Sequence, residues 1–207
     1  MDTDRRLDSI PAGKAFIKRG FDVVLSALAL VFLWWLILLA ALVSRLDTGL
    51  NGFFLQQRVG RYGKLFTVIK IRTMKPVDGI DTSVTTDWDE RITAIGRFFR
   101  KNKIDELPQL INVFIGDMSF VGPRPDVPGF ADKLVGEDRI ILQVRPGITG
   151  PATLRYRNEE EILAQVDDPD KYNREVVYPD KARINVAYVR NYSLLKDMKY
   201  ILQSIIG

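Results

Sequence analysis

Phe21-Asp22-Val23-Val24-Leu25-Ser26-Ala27-Leu28-Ala29-Leu30-Val31-Phe32-Leu33-Trp34-Trp35-Leu36-Ile37-Leu38-Leu39-Ala40-Ala41-Leu42-Val43 carries one charge, Asp22, in 23 residues. An apolar run of this length can span a bilayer as a helix. Leucine, alanine and tryptophan surround it with no polar face, unlike the helix of a soluble core. It is too long for a cleavable signal peptide, and no small-residue cleavage pattern precedes Arg45. Lys14, Lys18 and Arg19 stand before it, and Arg45, Arg58, Arg61 and Lys64 after it. Basic flanks on both sides leave the positive-inside rule without an answer. Either the helix spans, or it dips in and returns. A break inside lipid usually needs a proline and a hydroxyl to re-satisfy freed backbone groups. This segment has no proline, and its middle is Phe32-Leu33-Trp34-Trp35. Read from residues alone, both topologies stay open.

The remaining chain fits one domain: 207 residues in all, 46% hydrophobic, with a net charge of +4. The positive charge points to an anionic partner such as nucleic acid, acidic lipid or nucleotide phosphate. There is no histidine and no cysteine. Thiolate chemistry, disulfides and histidine bases are thereby excluded, and carboxylates become the leading candidates for catalysis. A bound metal is expected to be a hard, oxygen-loving ion such as magnesium.

Beyond the apolar run, 47–52 reads as a turn. Phe53 to Val59 and Leu65 to Met74 read as strands around Gly60-Arg61-Tyr62-Gly63, a hairpin. On the second strand Phe66, Val68, Lys70 and Arg72 share a face. Lys70 and Arg72 there either hold a diphosphate or form a solvated face. Pro76 to Asp89 reads as a loop. A helix is expected from about Arg91 to Lys103, with Ile92, Ile95, Phe98 and Phe99 as its apolar stripe and Arg97, Arg100 and Lys101 beside it. It either lies on a membrane surface or packs on the core.

Asp105-Glu106 precedes Leu107-Pro108-Gln109-Leu110-Ile111. With Asp105 as N-cap, Pro108 takes the third helical position, where its missing donor costs little. Leu107, Leu110, Ile111 and Phe114 then form the buried side. The carboxylates would sit at a helix start, an end that also welcomes phosphate. Capping alone explains an Asp-Glu pair in that place equally well. In Gly122-Pro123-Arg124-Pro125 two prolines pin an arginine. A preorganised guanidinium suits phosphate. Arg145-Pro146-Gly147-Ile148-Thr149-Gly150 repeats the arginine-then-turn theme. Asn158 before Glu159, Glu160 and Glu161 reads as a capped helix start, and Asp167-Asp168-Pro169-Asp170 as a turn. Ala182 to Ile206 carries apolar residues at helical spacing.

These blocks, taken together, resemble the monotopic phosphoglycosyl transferases, the bacterial sugar transferase family. The resemblance runs from about Lys18 to the C-terminus. It rests on Lys18-Arg19-Gly20-Phe21-Asp22, Gln56-Gln57-Arg58-Val59-Gly60, Lys70-Ile71-Arg72-Thr73-Met74, Asp105 to Leu110, Gly116 to Pro125 and Arg145 to Gly150. It implies transfer of a sugar-1-phosphate from a UDP-sugar to a polyprenyl phosphate, undecaprenyl phosphate above all, with UMP released. The implied nucleophile is Asp105, forming a covalent phosphosugar intermediate, and Glu106 is the implied magnesium ligand. Lys70, Arg72, Arg100, Arg124 and Arg145 are implied phosphate binders. The implied setting is the bacterial inner membrane, with the catalytic domain on the cytoplasmic face.

The fold expected is α/β in the α+β sense and helix-rich. It is a membrane-associated single domain with an N-terminal re-entrant helix, a short β-hairpin and surface amphipathic helices. Its expected divisions are a basic, polar segment at 1–17, the membrane helix at 18–46 and the catalytic domain at 47–207. The family's helix usually breaks at a Ser-Pro pair, where this chain has Trp34-Trp35. The segment from Arg155 to Asp180 is longer than in the smallest members and is expected to touch the sugar or cap the site. The alternative function is a membrane-anchored basic scaffold of polysaccharide assembly. Nucleic acid is not an expected partner, since the aromatics are not interleaved with the basic residues. The sequence leaves the donor sugar and any homo-oligomer open.

Overall fold

The computed structural model describes residues 10–77 and 89–206; most of the expected 76–89 loop and residues 1–9 lie outside them. The elements are α1 (Ala12–Thr48), β1 (Phe53–Val59), β2 (Leu65–Ile71), α2 (Ala94–Lys101), α3 (Gln109–Ile115), β3 (Ser119–Val121), β4 (Gly147–Thr149), α4 (Pro151–Arg155), α5 (Glu159–Leu163), α6 (Pro169–Tyr172), α7 (Tyr178–Arg190) and α8 (Leu194–Ile206). A π turn, Asn173–Val177, joins α6 to α7. The fold is mixed and helix-rich, with two small sheets.

α1 is helical without interruption for 37 residues, through Trp34-Trp35. It starts after Pro11 and stops at Gly49, whose φ of 73° suits a residue without a Cβ. It therefore outruns the expected 18–46 at both ends. It is long and apolar enough to cross a membrane. One face docks on the domain along both halves. Near its start Lys18 Nζ meets Asp197 Oδ2 at 2.6 Å, and Arg19 donates to the carbonyls of Val113 (2.6 Å) and Phe114 (2.8 Å). Asp22 Oδ1 accepts from Ser119 Oγ (3.1 Å) and Phe120 N (3.2 Å). Near its end Ser44 Oγ donates to Arg72 O at 2.6 Å, and Thr93 Oγ1 to Asp47 Oδ2 at 2.5 Å. The other face leaves Val31, Phe32, Trp34, Trp35, Leu38 and Leu42 exposed.

The hairpin is antiparallel, in register from Phe53↔Ile71 to Val59↔Leu65. β2 ends at Ile71, short of the expected Met74. Past it the chain turns to the segment before α2: Thr93 N donates to Thr73 O, and Met74 bridges Ile92. α2 begins at Ala94 rather than Arg91, because Thr93 caps it by accepting from Gly96 N at 2.8 Å. Its expected apolar stripe divides: Ile92 and Phe99 are buried, while Ile95 and Phe98 are exposed. α3 also starts late, after Pro108, and Asp105 does not cap it. Lys103 takes a left-handed φ of 56°, and Ile104–Glu106 forms a 3-10 turn instead. Of the expected buried side, Leu110 is buried, Leu107 and Ile111 are half-buried and Phe114 is exposed, and Val113 is buried instead.

α5 starts after Asn158 without a side-chain cap, unlike the expected capped start. The 167–170 turn opens a helix, with Asp168 Oδ1 accepting from Lys171 N at 2.9 Å. The tail forms two helices. α7 buries Val186 and Val189 beside Val121, Ile140 and Tyr188, whereas α8 leaves Leu195, Leu202 and Ile205 exposed.

Candidate active site

The 3-10 turn carrying Asp105-Glu106 faces β2 and the chain leaving β3. Lys70 approaches from β2, with Nζ 3.6 Å from Glu106 Oε1. Arg124 approaches from beyond β3 and donates through Nη2 to the same oxygen. Its Nη1 also reaches Ile148 O at 3.3 Å. Arg100, at the end of α2, pairs with Glu160 of α5 and contributes positive potential at Asp105.

The backbone that aims Arg124 explains the second proline motif. β3 and β4 pair in parallel, Ser119 against Gly147 and Val121 against Thr149. Gly122 N donates to Thr149 O at 3.0 Å and Gly147 N to Pro123 O at 2.8 Å. The strands approach so closely that a Cβ on Gly147 would lie 2.2 Å from Gly122 N. Gly147→Ala is expected to cost ~1–3 kcal/mol through this backbone clash and to lower activity by displacing Arg124. A thermal melt beside a UMP-release assay checks both.

The two carboxylates differ in environment. Asp105 is buried, and its Oδ1 has no hydrogen-bond partner. Burial and the Glu106 charge push its carboxyl above the usual range, while Lys70, Arg100 and Lys103 pull the other way. Burial would raise Glu106 too, but Arg124 and Lys70 overcome it and hold that carboxyl well below the usual range. Burial in turn lowers the Lys70 ammonium, with Glu106 opposing.

Lys70, Arg100 and Arg124 thus converge on Asp105 and Glu106. Arg72 and Arg145 do not line the same cleft. Arg72 Nε donates to Asn51 O at 2.7 Å, and its guanidinium lies over the Phe54 ring. Arg145 Nε donates to Gly116 O at 2.7 Å, just past the C-terminus of α3. Both are tied to backbone carbonyls.

The cleft is large, ≈ 1430 Å³, above the usual ~300–1,000 Å³ of small-molecule pockets. Leu25, Ala29 and Leu33 of α1 give it an apolar wall; Asp126, Tyr178 and Asn185 belong to a polar one. Arg58 responds to both Asp126 and Glu106, and burial, the largest influence, lowers it to about 10. Of these four polar residues Arg58 stood in a family block, whereas Asp126, Tyr178 and Asn185 were not singled out in the sequence. Only the spacing of Tyr178, Lys181 and Asn185 on one helical face could have signalled the last wall. Among the described residues no three carboxylates, histidines or cysteines gather as a metal cage. Asp105, with its unpartnered buried oxygen, and Glu106 supply hard oxygens of the kind magnesium takes alongside substrate phosphates.

Residues 13–207 match the bacterial sugar transferase family. A UDP-glucose:undecaprenyl-phosphate glucose-1-phosphate transferase of Caulobacter vibrioides is 37% identical over 91% of this chain and 68% of its own. An undecaprenyl-phosphate galactose phosphotransferase of Salmonella typhimurium is 34% identical, over 91% of this chain and 40% of its own. A UDP-N-acetylgalactosamine-undecaprenyl-phosphate N-acetylgalactosaminephosphotransferase of Aeromonas hydrophila is 33% identical, over 92% and 43%. The chain thus spans less than half the length of the latter two. It belongs to the bacterial sugar transferase family and is a phosphoglycosyl transferase.

Proposed function

We propose that the chain transfers a sugar-1-phosphate from a UDP-sugar to undecaprenyl phosphate, releasing UMP, as an early membrane step of glycoconjugate synthesis. The observation that carries this is the asymmetry of the two carboxylates. Glu106 is neutralised by Arg124 and Lys70, while Asp105 keeps a buried oxygen without a partner.

An Asp105 oxygen attacks the sugar-linked phosphorus of the donor. The bond from that phosphorus to the bridging oxygen breaks, its electron pair stays on the oxygen, and UMP leaves. An oxygen of the lipid phosphate then attacks the same phosphorus, and the Asp105 carboxylate is released. Both nucleophiles are already anions, so no histidine base is needed. Lys70, Arg100 and Arg124 hold the negative phosphates near a buried carboxylate that would otherwise repel them. Glu106 fixes Arg124 and Lys70 in place, and with Asp105 it would bind magnesium. Magnesium supplies neutralisation of the diphosphate charge when bound. The apolar wall from α1 suits the start of a prenyl chain, and the cleft has room for a nucleotide sugar as well.

The test is intact-protein mass after incubation with a UDP-sugar alone. A phosphosugar adduct with stoichiometric UMP is expected, and multiple turnover only after the lipid phosphate is added. Steady UMP release without lipid would mean a pyrophosphatase instead.

The same reading places both ends of α1 on the cytoplasmic side. One domain grips Lys18 and Asp22 at one end and Ser44 and Asp47 at the other, and a single domain cannot hold both from opposite sides of a bilayer. The exposed apolar middle then sits in lipid, with Trp34 and Trp35 near the interface. Because the chain lacks cysteine, Ala12→Cys and Lys64→Cys can each be probed alone with an impermeant thiol reagent in cells. Neither is expected to react until the membrane is opened. Labelling of position 12 alone from outside would show a spanning helix.

A further inference from the structure

α7 turns one face to the cleft, carrying Tyr178, Lys181 and Asn185 at spacings of three and four. Asn185 is 7% exposed, and its Oδ1 has no hydrogen-bond partner. Thr153, on α4, also lines the cleft with its Oγ1 buried and unpartnered. The Tyr178 hydroxyl is buried and faces the Asp126 carboxylate. Buried polar groups are nearly always satisfied in native proteins. Several unsatisfied ones around a single cleft point to a ligand that satisfies them.

These groups are rich in acceptors. A pyranose offers a ring of hydroxyl donors, whereas uracil offers one N–H and needs donors for its carbonyl oxygens. We propose that Asn185, Thr153, Tyr178 and Asp126 form the subsite that reads the hydroxyls of the donor sugar. This rests on the donor being a UDP-sugar, as proposed above. The subsite adjoins the carboxylate pair: Asp126 follows two residues after Arg124, which pairs with Glu106, and Lys181 of α7 pairs with Glu159, next to the Glu160 that holds Arg100. Burial pushes Asp126 up to about 6 against the opposing pull of Lys181, Arg58 and the Tyr178 hydroxyl. Lys181 does not fill the space, because Nζ is held by Glu159 Oε2 at 2.5 Å. The relatives are named for different sugars, among them glucose and galactose, which are distinguished only by the direction of one hydroxyl.

Asn185→Leu, Thr153→Val and Tyr178→Phe remove the polar groups while keeping the branching of each side chain. Each is assayed in the full chain for UMP release from UDP-glucose, UDP-galactose and UDP-N-acetylgalactosamine with undecaprenyl phosphate. The best wild-type donor is expected to lose ~10-fold or more in kcat/KM, and the glucose-to-galactose ratio to shift by about as much. Inhibition by UMP should stay within about 2-fold, since the nucleotide lies outside this subsite. If Asn185→Leu does not fold, the Thr153 and Tyr178 variants carry the same test. Unmoved donor ratios overturn the subsite alone, as does an equal loss for every donor with weakened UMP inhibition. A wild-type chain that releases UMP from no UDP-sugar overturns the donor reading and the subsite with it.

Discussion

Asp105→Asn is expected to lower UMP release by ~10³-fold or more and to remove the phosphosugar adduct from the intact protein. The substitution keeps volume and shape, so the fold should persist and a matched melting curve is the control. An amide is a poor nucleophile toward phosphorus, and no histidine or cysteine is present to take over. Substantial turnover by this variant would falsify the nucleophile assignment. The pH profile adds a second check. Attack requires the ionised carboxylate, and burial raises the Asp105 carboxyl above its ordinary range. The acid limb of kcat/KM should therefore lie above the roughly pH 3.9 of a free aspartate. Lys70 opposes that rise. Lys70→Met should then move the limb to still higher pH, whatever it does to the maximum rate.

What the sequence disclosed depended on how local each cause was. The hairpin was legible because Phe53 to Val59 and the Gly60–Gly63 turn carry their own instructions, and its first strand and turn stand where expected. The apolar run announced α1, and Pro11 and Gly49 at its ends mark its true bounds. The start of α3 was misread because Lys103 adopts a left-handed φ of 56°, a conformation that lysine rarely takes and no local pattern announced. Asp105 is therefore freed from capping, which makes its buried oxygen available. Arg145-Pro146-Gly147 looked like a second phosphate motif. Its glycine instead serves a parallel pairing with β3, distant in sequence, that aims Arg124. Asn185 was hidden because its neighbours Val186 and Val189 mark α7 as a core helix. Only the cleft on the other side gives its amide meaning.

Lys18→Met is expected to destabilise the fold by ~3–5 kcal/mol, the usual loss when one partner of a buried ion pair is removed. The Lys18 and Asp197 side chains are 8% and 1% exposed. Without the ammonium, Asp197 keeps the Tyr188 hydroxyl, 2.9 Å away. Burial already raises the Asp197 carboxyl, and Lys18 is the chief opposing influence. In the variant the folded-state value rises further above the unfolded one, so protonation relieves the loss. The deficit should shrink at low pH and grow as pH rises through the folded-state value. Urea unfolding in detergent at two pH values measures this. Activity should follow stability, because α8 reaches the cleft through Ile201, Ser204 and Ile205, and Ser204 lies 2.5 Å from Thr149 Oγ1. Lys18→Met combined with Asp197→Leu removes both members of the ion pair and keeps an apolar packing, since Tyr188 can still donate to Val121 O at 3.2 Å. The double variant should regain most of the stability and the UMP release together. A single variant as stable as the parent would mean that the Lys18–Asp197 pair does not hold the N-terminal half of α1 to the domain.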